Sequence, residues 1–307
     1  MTMNETLISV VAPLGAHDTA TIVEAFIDET VAVLRGIVTH YEIILVDDGA
    51  PEETVARVRA MLQRHDFLRF LRLSRHFGEE TAIGAGLDLA IGDYVVVMLP
   101  NMDPPALIPE FFERARNEAD IVYGVRQHRK SEPFWYRAGA RVFYWYANSI
   151  VKAGIPEDST QFRCMSRQVV NAIAQIRGPD QYLRLLTSYI GFHKQGLTYA
   201  PINRSGQPTI RPKGEAIGLA RSLIIEHSTQ PLRMVIWAGV VVAAIDLAIN
   251  RNTAFFTLAM MVALVGEYVG GLSRRLRDRP AYYVREEHTS SVLLREERKN
   301  VVSHSST

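Results

Sequence analysis

Residues 42–50 read EIILVDDGA. The unbroken apolar run from Ile43 to Val46 is the pattern of a strand buried on both faces, as in a parallel sheet covered by helices. It ends on Asp47, Asp48 and Gly49, two carboxylates and a turn residue. Upstream, LISVVA (7–12) is a second such run. Between the two, Ile22, Val23, Phe26, Ile27, Val31 and Leu34 recur at helical spacing over Thr19–Arg35. Downstream, a helix is predicted over 51–64, with Pro51 suited to its first turn. A strand follows at Leu68–Leu73, a helix at Thr81–Ala90 and a strand at Tyr94–Met98. Strands alternating with helices at this spacing predict an α/β fold with a doubly wound, mostly parallel sheet. Ligands in such sheets bind at the carboxyl ends of the strands, where Asp47, Asp48, Arg75 and the loop 99–105 fall.

The 307 residues suit one large domain or two smaller ones. Lys and Arg number 34 against 33 Asp and Glu, a net charge of +1, so bulk electrostatics imply no nucleic-acid partner. The one cysteine, Cys164, excludes an intramolecular disulfide framework and reads as a small core residue. The N-terminus lacks a basic stretch followed by an apolar core, so residues 1–230 are expected on the cytoplasmic side.

Apolar residues concentrate late in the chain. Met234–Ile249 is broken only by Asp246, and Thr253–Gly271 by Glu267, with Asn250, Arg251 and Asn252 between them. Two apolar segments around a tight polar turn read as a membrane hairpin over 231–273. The first would rise about 24 Å as a helix, against a hydrocarbon core of about 30 Å, so either a spanning or a partly inserted hairpin fits. A buried hairpin of a soluble protein is the alternative. Arg233 on one side and Arg274, Arg275, Arg277 and Arg279 on the other place both ends in the cytoplasm. Residues 133–153 carry a basic stripe (Arg137, Arg141, Lys152) beside Trp135 and Trp145, which suits either a helix in a membrane interface or a core helix with a solvated face. A second candidate interface helix spans 214–228. Residues 274–307 form a cytoplasmic C-terminal segment, polar and expected to be mobile beyond Glu286 except at Val292–Leu294.

Several motifs occur in a fixed order. They are VDDGA (46–50), LSRHFGEETA (73–82), GDYVVVM (92–98), DPP (103–105), VYGVRQHR (122–129), FRCMSRQVV (162–170), PLR (231–233), GEYVGG (266–271) and RPAYYVRE (279–286). This series resembles glycosyltransferase family 2. It is similar in particular to its polyprenyl-phosphate branch, the dolichol-phosphate mannosyltransferases and bacterial undecaprenyl-phosphate glycosyltransferases, over about residues 7–286. The resemblance implies a GT-A-type fold at the cytoplasmic face of a bacterial plasma membrane. It also implies an inverting transfer of a sugar from a UDP- or GDP-linked donor to a polyprenyl phosphate, for cell-envelope glycan synthesis. By position it assigns Pro13, Asp47, Asp48, Arg75, Asn101, Arg126 and Arg129 to the donor. Asp103, Gln161 and Arg163 fall to catalysis, and Arg204 and Arg211 to the acceptor phosphate. A homo-oligomer is implied by the RPAYYVRE segment.

The chain departs from the family's pattern at several points. Leu14, Gly15, Ala16 and His17 follow Pro13 in place of a PxYNE-type loop. The DxD-type metal motif is replaced by Leu99–Asp103, and a proposed carboxylate base by Gln161. Gln207, Pro208, Thr209 and Ile210 replace the run that usually follows the acceptor arginine. If residues 101–103 are extended, Asn101 and Asp103 face the same way and form a weakened site for Mg or Mn. Alternatively, Arg126, Arg129, Lys130, Arg204, Arg211 and Lys213 clamp the diphosphate without metal. A phosphate monoester has a second pKa near 6, so the acceptor is largely dianionic at neutral pH and depends little on a base. Two functions stay open: an active transferase, or a catalytically degenerate relative acting as a binding or assembly partner.

Overall fold

The computed structural model describes residues 4–127, 159–176, 183–206 and 282–290, together with helical positions at 237, 239, 241, 258, 261–263, 265, 266 and 269. The chain divides into two compact units, one formed by 1–131, 155–208 and 280–307, the other by 132–154 and 209–279.

The first unit is an eight-stranded sheet. Its elements run β1 (Asn4–Leu14), α1 (Ala20–Ile37), β2 (Val38–Asp47), α2 (Glu52–Met61), β3 (Leu68–Leu73), α3 (Glu79–Leu89) and β4 (Tyr94–Val97). After a 3-10 turn (Pro105–Leu107) come α4 (Ile108–Asn117), β5 (Ile121–Arg126), β6 (Ser159–Ser166), α5 (Arg167–Gln175), α6 (Leu183–Tyr189), β7 (Lys194–Tyr199) and β8 (Val284–Thr289). The strand order is β7-β5-β6-β4-β1-β2-β3-β8. Only β6 and β8 oppose their neighbours. The carboxyl ends of β1, β2, β3, β4, β5 and β7 therefore share one edge of the sheet, and the start of β6 lies there too.

Alternation along each strand feeds two cores. Val10, Ala12, Ile43, Leu45, Val96, Phe162 and Cys164 face a layer built from α1, α2 and α4, through Phe26, Val55 and Phe111 among others. Val11, Ile44, Val46, Val95, Val97 and Met165 face α3, α5 and α6, through Ile83, Val169 and Leu186. Cys164 is fully buried, and burial pushes its thiol well above the usual range. The apolar runs are continuous because both faces are covered.

A polar cluster at the opposite edge orders the α3–β4 connection. The Glu42 carboxylate, fully buried, accepts from Ser9 Oγ at 2.5 Å and from Ile91 N at 2.7 Å, and lies 3.5 Å from Arg69 Nη1. Ser9 Oγ in turn accepts from Gly92 N at 2.7 Å.

β8 corrects one expectation. Residues 287–289, read as the start of a mobile tail beyond Glu286, help to complete the sheet antiparallel to β3. Main-chain pairing and the ion pairs Glu286–Arg59 and Glu287–Arg69 hold a strand that has almost no apolar face.

Among the described residues, no helix is long and apolar enough to cross a membrane. The candidate interface helices at 133–153 and 214–228 lie outside the described residues, as does most of 231–273. Within the second unit the described positions are helical and apolar. Trp237 is 70% exposed, Leu258 60% and Val262 64%. A methyl group added at Gly239 would collide with the Met261 sulfur, so the two apolar stretches pack against each other there.

Candidate functional site

The shared edge begins where β1 stops. Pro13 is buried in the last turn of β1, and the Leu14 carbonyl accepts from Asp48 N at 2.9 Å, joining the ends of β1 and β2. Asp47 folds the turn after β2. Its Oδ1 accepts from Gly49 N at 3.0 Å and Ala50 N at 2.7 Å, while Oδ2 pairs with Arg72 Nε at 3.0 Å. Burial raises its pKa, and those two N–H donors and Arg72 oppose the rise. Gly49 sits at φ 103°, a conformation that favours glycine.

Asp48 is 4% exposed and reaches across to the loop after β3. Its Oδ1 accepts from Phe77 N at 2.6 Å, its Oδ2 from Gly78 N at 2.8 Å, and His76 Nδ1 lies 2.9 Å from Oδ2. Gly78, at φ 105°, is the N-cap of α3, so a carboxylate lies beside the positive end of that helix. The same loop carries Arg75, whose guanidinium is exposed and stands 4.7 Å over the Phe77 ring.

The loop after β4 is a turn, not the extended segment assumed from the sequence. Met102 N and Asp103 N both donate to the Leu99 carbonyl, at 3.0 and 2.9 Å. Asp103 consequently points inward. It is 1% exposed, and its oxygens accept from Leu99 N at 2.8 Å and Tyr199 OH at 2.5 Å. The Asn101 amide is spent on Ser205, accepting from its N at 2.8 Å and donating to its Oγ at 3.1 Å. The two residues predicted to share a cation thus have their donor atoms engaged by the chain itself. Among the described residues, no group of three or more His, Cys, Asp and Glu side chains is placed to hold a metal ion. These residues do not fit a divalent cation.

At the start of β6, Gln161 and Arg163 share a face. The Gln161 amide donates to Glu80 of α3, and the other Glu80 oxygen accepts from Leu183 N at 3.0 Å. Arg163 is 2% exposed. It donates to the carbonyls of Thr160 and Leu183, at 3.3 and 3.2 Å, and to the Thr187 hydroxyl. Glu80 and Arg163 therefore grip both sides of the Leu183 residue and fix α6 to the sheet. Phe162 faces the other core, stacked on Phe111 at 3.9 Å.

The basic residues divide. Arg126, at the end of β5, is half-buried with Nη2 3.5 Å from the Met102 sulfur, beside the 99–103 turn. Arg204 is turned to α1, where both terminal nitrogens bond Glu29, at 2.7 and 2.6 Å. That pairing holds the Glu29 carboxyl below its usual range. Arg129, Arg211, Lys130 and Lys213 lie outside the described residues.

The sequence reading missed four residues. Asp18 accepts from Gly15 N at 2.8 Å, and Glu79 interacts electrostatically with both Asp18 and Asp103. Glu80 and Tyr199 complete the set. Only their proximity after folding reveals them; EE within LSRHFGEETA was the one visible signal. Burial pushes Asp18 and Asp103 up to about 6. An unfolded aspartate titrates near 4. Between these values the folded chain holds protons that the unfolded chain has released. The stability from these groups is therefore complete below about pH 4 and is lost as pH rises through about 6. Asp103→Asn is expected to flatten the pH dependence of thermal melting across that window. An unchanged slope would show that Asp103 is not a source of it.

Known proteins resemble this chain in sequence and in fold. The sequence model of "Glycosyl transferase family 2" matches residues 19–174. The chain is 26% identical to the uncharacterized glycosyltransferase YkcC of Bacillus subtilis, over 86% of this chain and 91% of that protein. It is 27% identical to the SfII prophage-derived bactoprenol glucosyl transferase of Shigella flexneri, over 80% of this chain and 88% of that one. Among solved structures, mannosyl-3-phosphoglycerate synthase from Rubrobacter xylanophilus superposes with a TM-score of 0.51 at 11% identity, over 75% of each chain, a likeness of fold alone. With the matched segment covering half of the chain, from the start of α1 to the end of α5, the chain belongs to glycosyl transferase family 2.

Proposed function

We propose that this glycosyltransferase moves a sugar from a nucleotide-sugar donor to a polyprenyl phosphate at the cytoplasmic face of a bacterial plasma membrane. The observation that carries the reading is the run of likeness to a bactoprenol glucosyl transferase over four-fifths of the chain. It is joined to a strand-end edge that displays Arg75 and Arg126. In this reading the turn at 47–50 and the loop at 75–78 receive the nucleoside. Arg75 and Arg126, with Arg129, neutralise the leaving diphosphate. Gln161, held by Glu80, orients a substrate oxygen. The acceptor arrives as a phosphate dianion, which attacks the anomeric carbon with little help from a base. Arg204 can meet that phosphate only by exchanging Glu29 for it. Residues 1–230 form the catalytic part, 231–273 a membrane hairpin and 274–307 the returning segment.

Support for the bilayer comes from the second unit. Exposed Trp237, Val241, Leu258, Val262, Val265 and Val269 lie on helical positions of a hairpin with basic flanks, a surface that lipid would cover. The commitment of Asn101 and Asp103 to the protein favours a second reading, a relative that binds nucleotide without transferring sugar. Titration with UDP and GDP, with and without Mg or Mn, tests the donor site. Binding at millimolar nucleotide that changes less than about twofold on adding EDTA is expected. Absence of binding to both nucleotides would end the donor reading.

A further inference from the structure

The loop that carries Arg75 is braced from two sides. Asp48 holds its inner side, as described. Its outer side rests on Tyr283. Ser74 N donates to the Tyr283 carbonyl at 2.8 Å, and the Tyr283 ring lies 6.5 Å from the Phe77 ring at an interplanar angle of 40°. Phe77 is the ring under the Arg75 guanidinium. Tyr283, Phe77 and Arg75 are thus neighbours in series, from the residue before β8 to the site edge.

The rest of the strand fixes where Tyr283 stands. Tyr282 packs against the α3-side core and donates to Asp88 Oδ2 of α3 at 3.0 Å. Beyond Tyr283, Leu73 pairs with Val284 across a register shift, and the ladder closes with Ser290 N on the Leu68 carbonyl at 2.9 Å. The Tyr283 side chain is itself 54% exposed and contributes little to the core. What it contacts is a ring that packs against the α3-side core and carries the Arg75 guanidinium on its face.

We propose that Tyr283 is a positioning residue for donor capture, acting on the nucleotide's diphosphate through Phe77 and Arg75. Without its ring, Phe77 keeps its packing on the α3-side core but loses its outer support, and the aromatic face under the guanidinium is less firmly set. This rests on the reading of Arg75 as a donor ligand given above. It assigns a part in the site to the residue that leads into β8, a strand whose polar sequence, VREEHT, does not suggest one.

The test is a titration of the full-length protein with UDP and GDP, comparing the wild type with Arg75→Ala, Tyr283→Ala, Tyr283→Phe and the double alanine variant. Melting temperatures are recorded alongside. Tyr283→Ala is expected to weaken binding about fivefold, the loss that follows from one aromatic contact of about 1 kcal/mol. Tyr283→Phe should bind like the wild type. The double variant should be no weaker than Arg75→Ala, because both changes act along one route. If Arg75→Ala weakens binding and Tyr283→Ala does not, or if their effects add, the positioning role is wrong while the donor reading stands. If the wild type binds neither nucleotide, the donor reading itself fails.

Discussion

Asp48→Ala is expected to abolish nucleotide binding at millimolar concentration. The structure gives this expectation a different cause from the one the sequence implied. Both carboxylate oxygens of Asp48 are occupied, by Phe77 N and Gly78 N, with His76 beside them. Removing them leaves two half-buried N–H groups unmet just before α3 and takes a negative charge from beside its N-terminus. Hydrogen bonds to a charged group are worth about 1.5–3 kcal/mol each, so the 75–78 loop would leave the position it needs for the donor. Asp48→Asn keeps one acceptor and should retain part of the binding. Full affinity in Asp48→Ala would mean that the loop does not hold the nucleotide.

Glu42→Ala should produce the largest loss of stability without touching the site edge. It strands Ser9 Oγ and Ile91 N and takes from the partly buried Arg69 one of its two carboxylate partners. Breaking a buried pair by removing one partner costs about 3–5 kcal/mol. Thermal melting of the full chain should fall sharply, and Glu42→Gln, which keeps an acceptor for Ser9, should fall less. A melting temperature within a degree or so of the wild type would show that the cluster is not holding the α3–β4 connection. Nucleotide affinity measured below the new melting point should be unchanged.

These two residues mark what the sequence makes legible. Ile43–Val46, Leu7–Ala12 and Tyr94–Met98 announce themselves because strands covered on both faces must be apolar throughout. The strand-end carboxylates follow from that placement. Asn101 and Asp103 were misjudged because a spacing of two implies a shared direction only in extended chain. Here main-chain bonds to Leu99 close a turn and send Asp103 to Tyr199, nearly a hundred residues on. No local pattern encodes that partner. β8 is hidden for the opposite reason. An edge strand held by its backbone and by Arg59 and Arg69 needs no apolar face. Gln161 looked like the loss of a carboxylate, yet folding brings Glu80 to its amide from a helix eighty residues away.

The same geometry bears on how a transferase would manage without its usual acidic motif. Asp18, Glu79, Glu80 and Asp103 crowd the strand ends, two of them pushed up to about 6 by burial. Among the described residues, Arg75 and Arg126 are the arginines at these strand ends that we assign to the diphosphate. Guanidinium groups match phosphate oxygens in pairs, and at a half-buried site they are the natural substitute for a metal.

The central claim is that this chain transfers sugar to a lipid phosphate. The most direct measurement is mass spectrometry of lipid extracts from membranes containing the protein, supplied with UDP- or GDP-linked sugars and undecaprenyl phosphate. The expected result is a sugar-linked polyprenyl phosphate that forms with the wild type, persists in EDTA and disappears with Asp48→Ala. A wild-type protein that binds nucleotide but yields no such lipid from any donor would contradict the claim, and would identify the chain as a binding relative of the family.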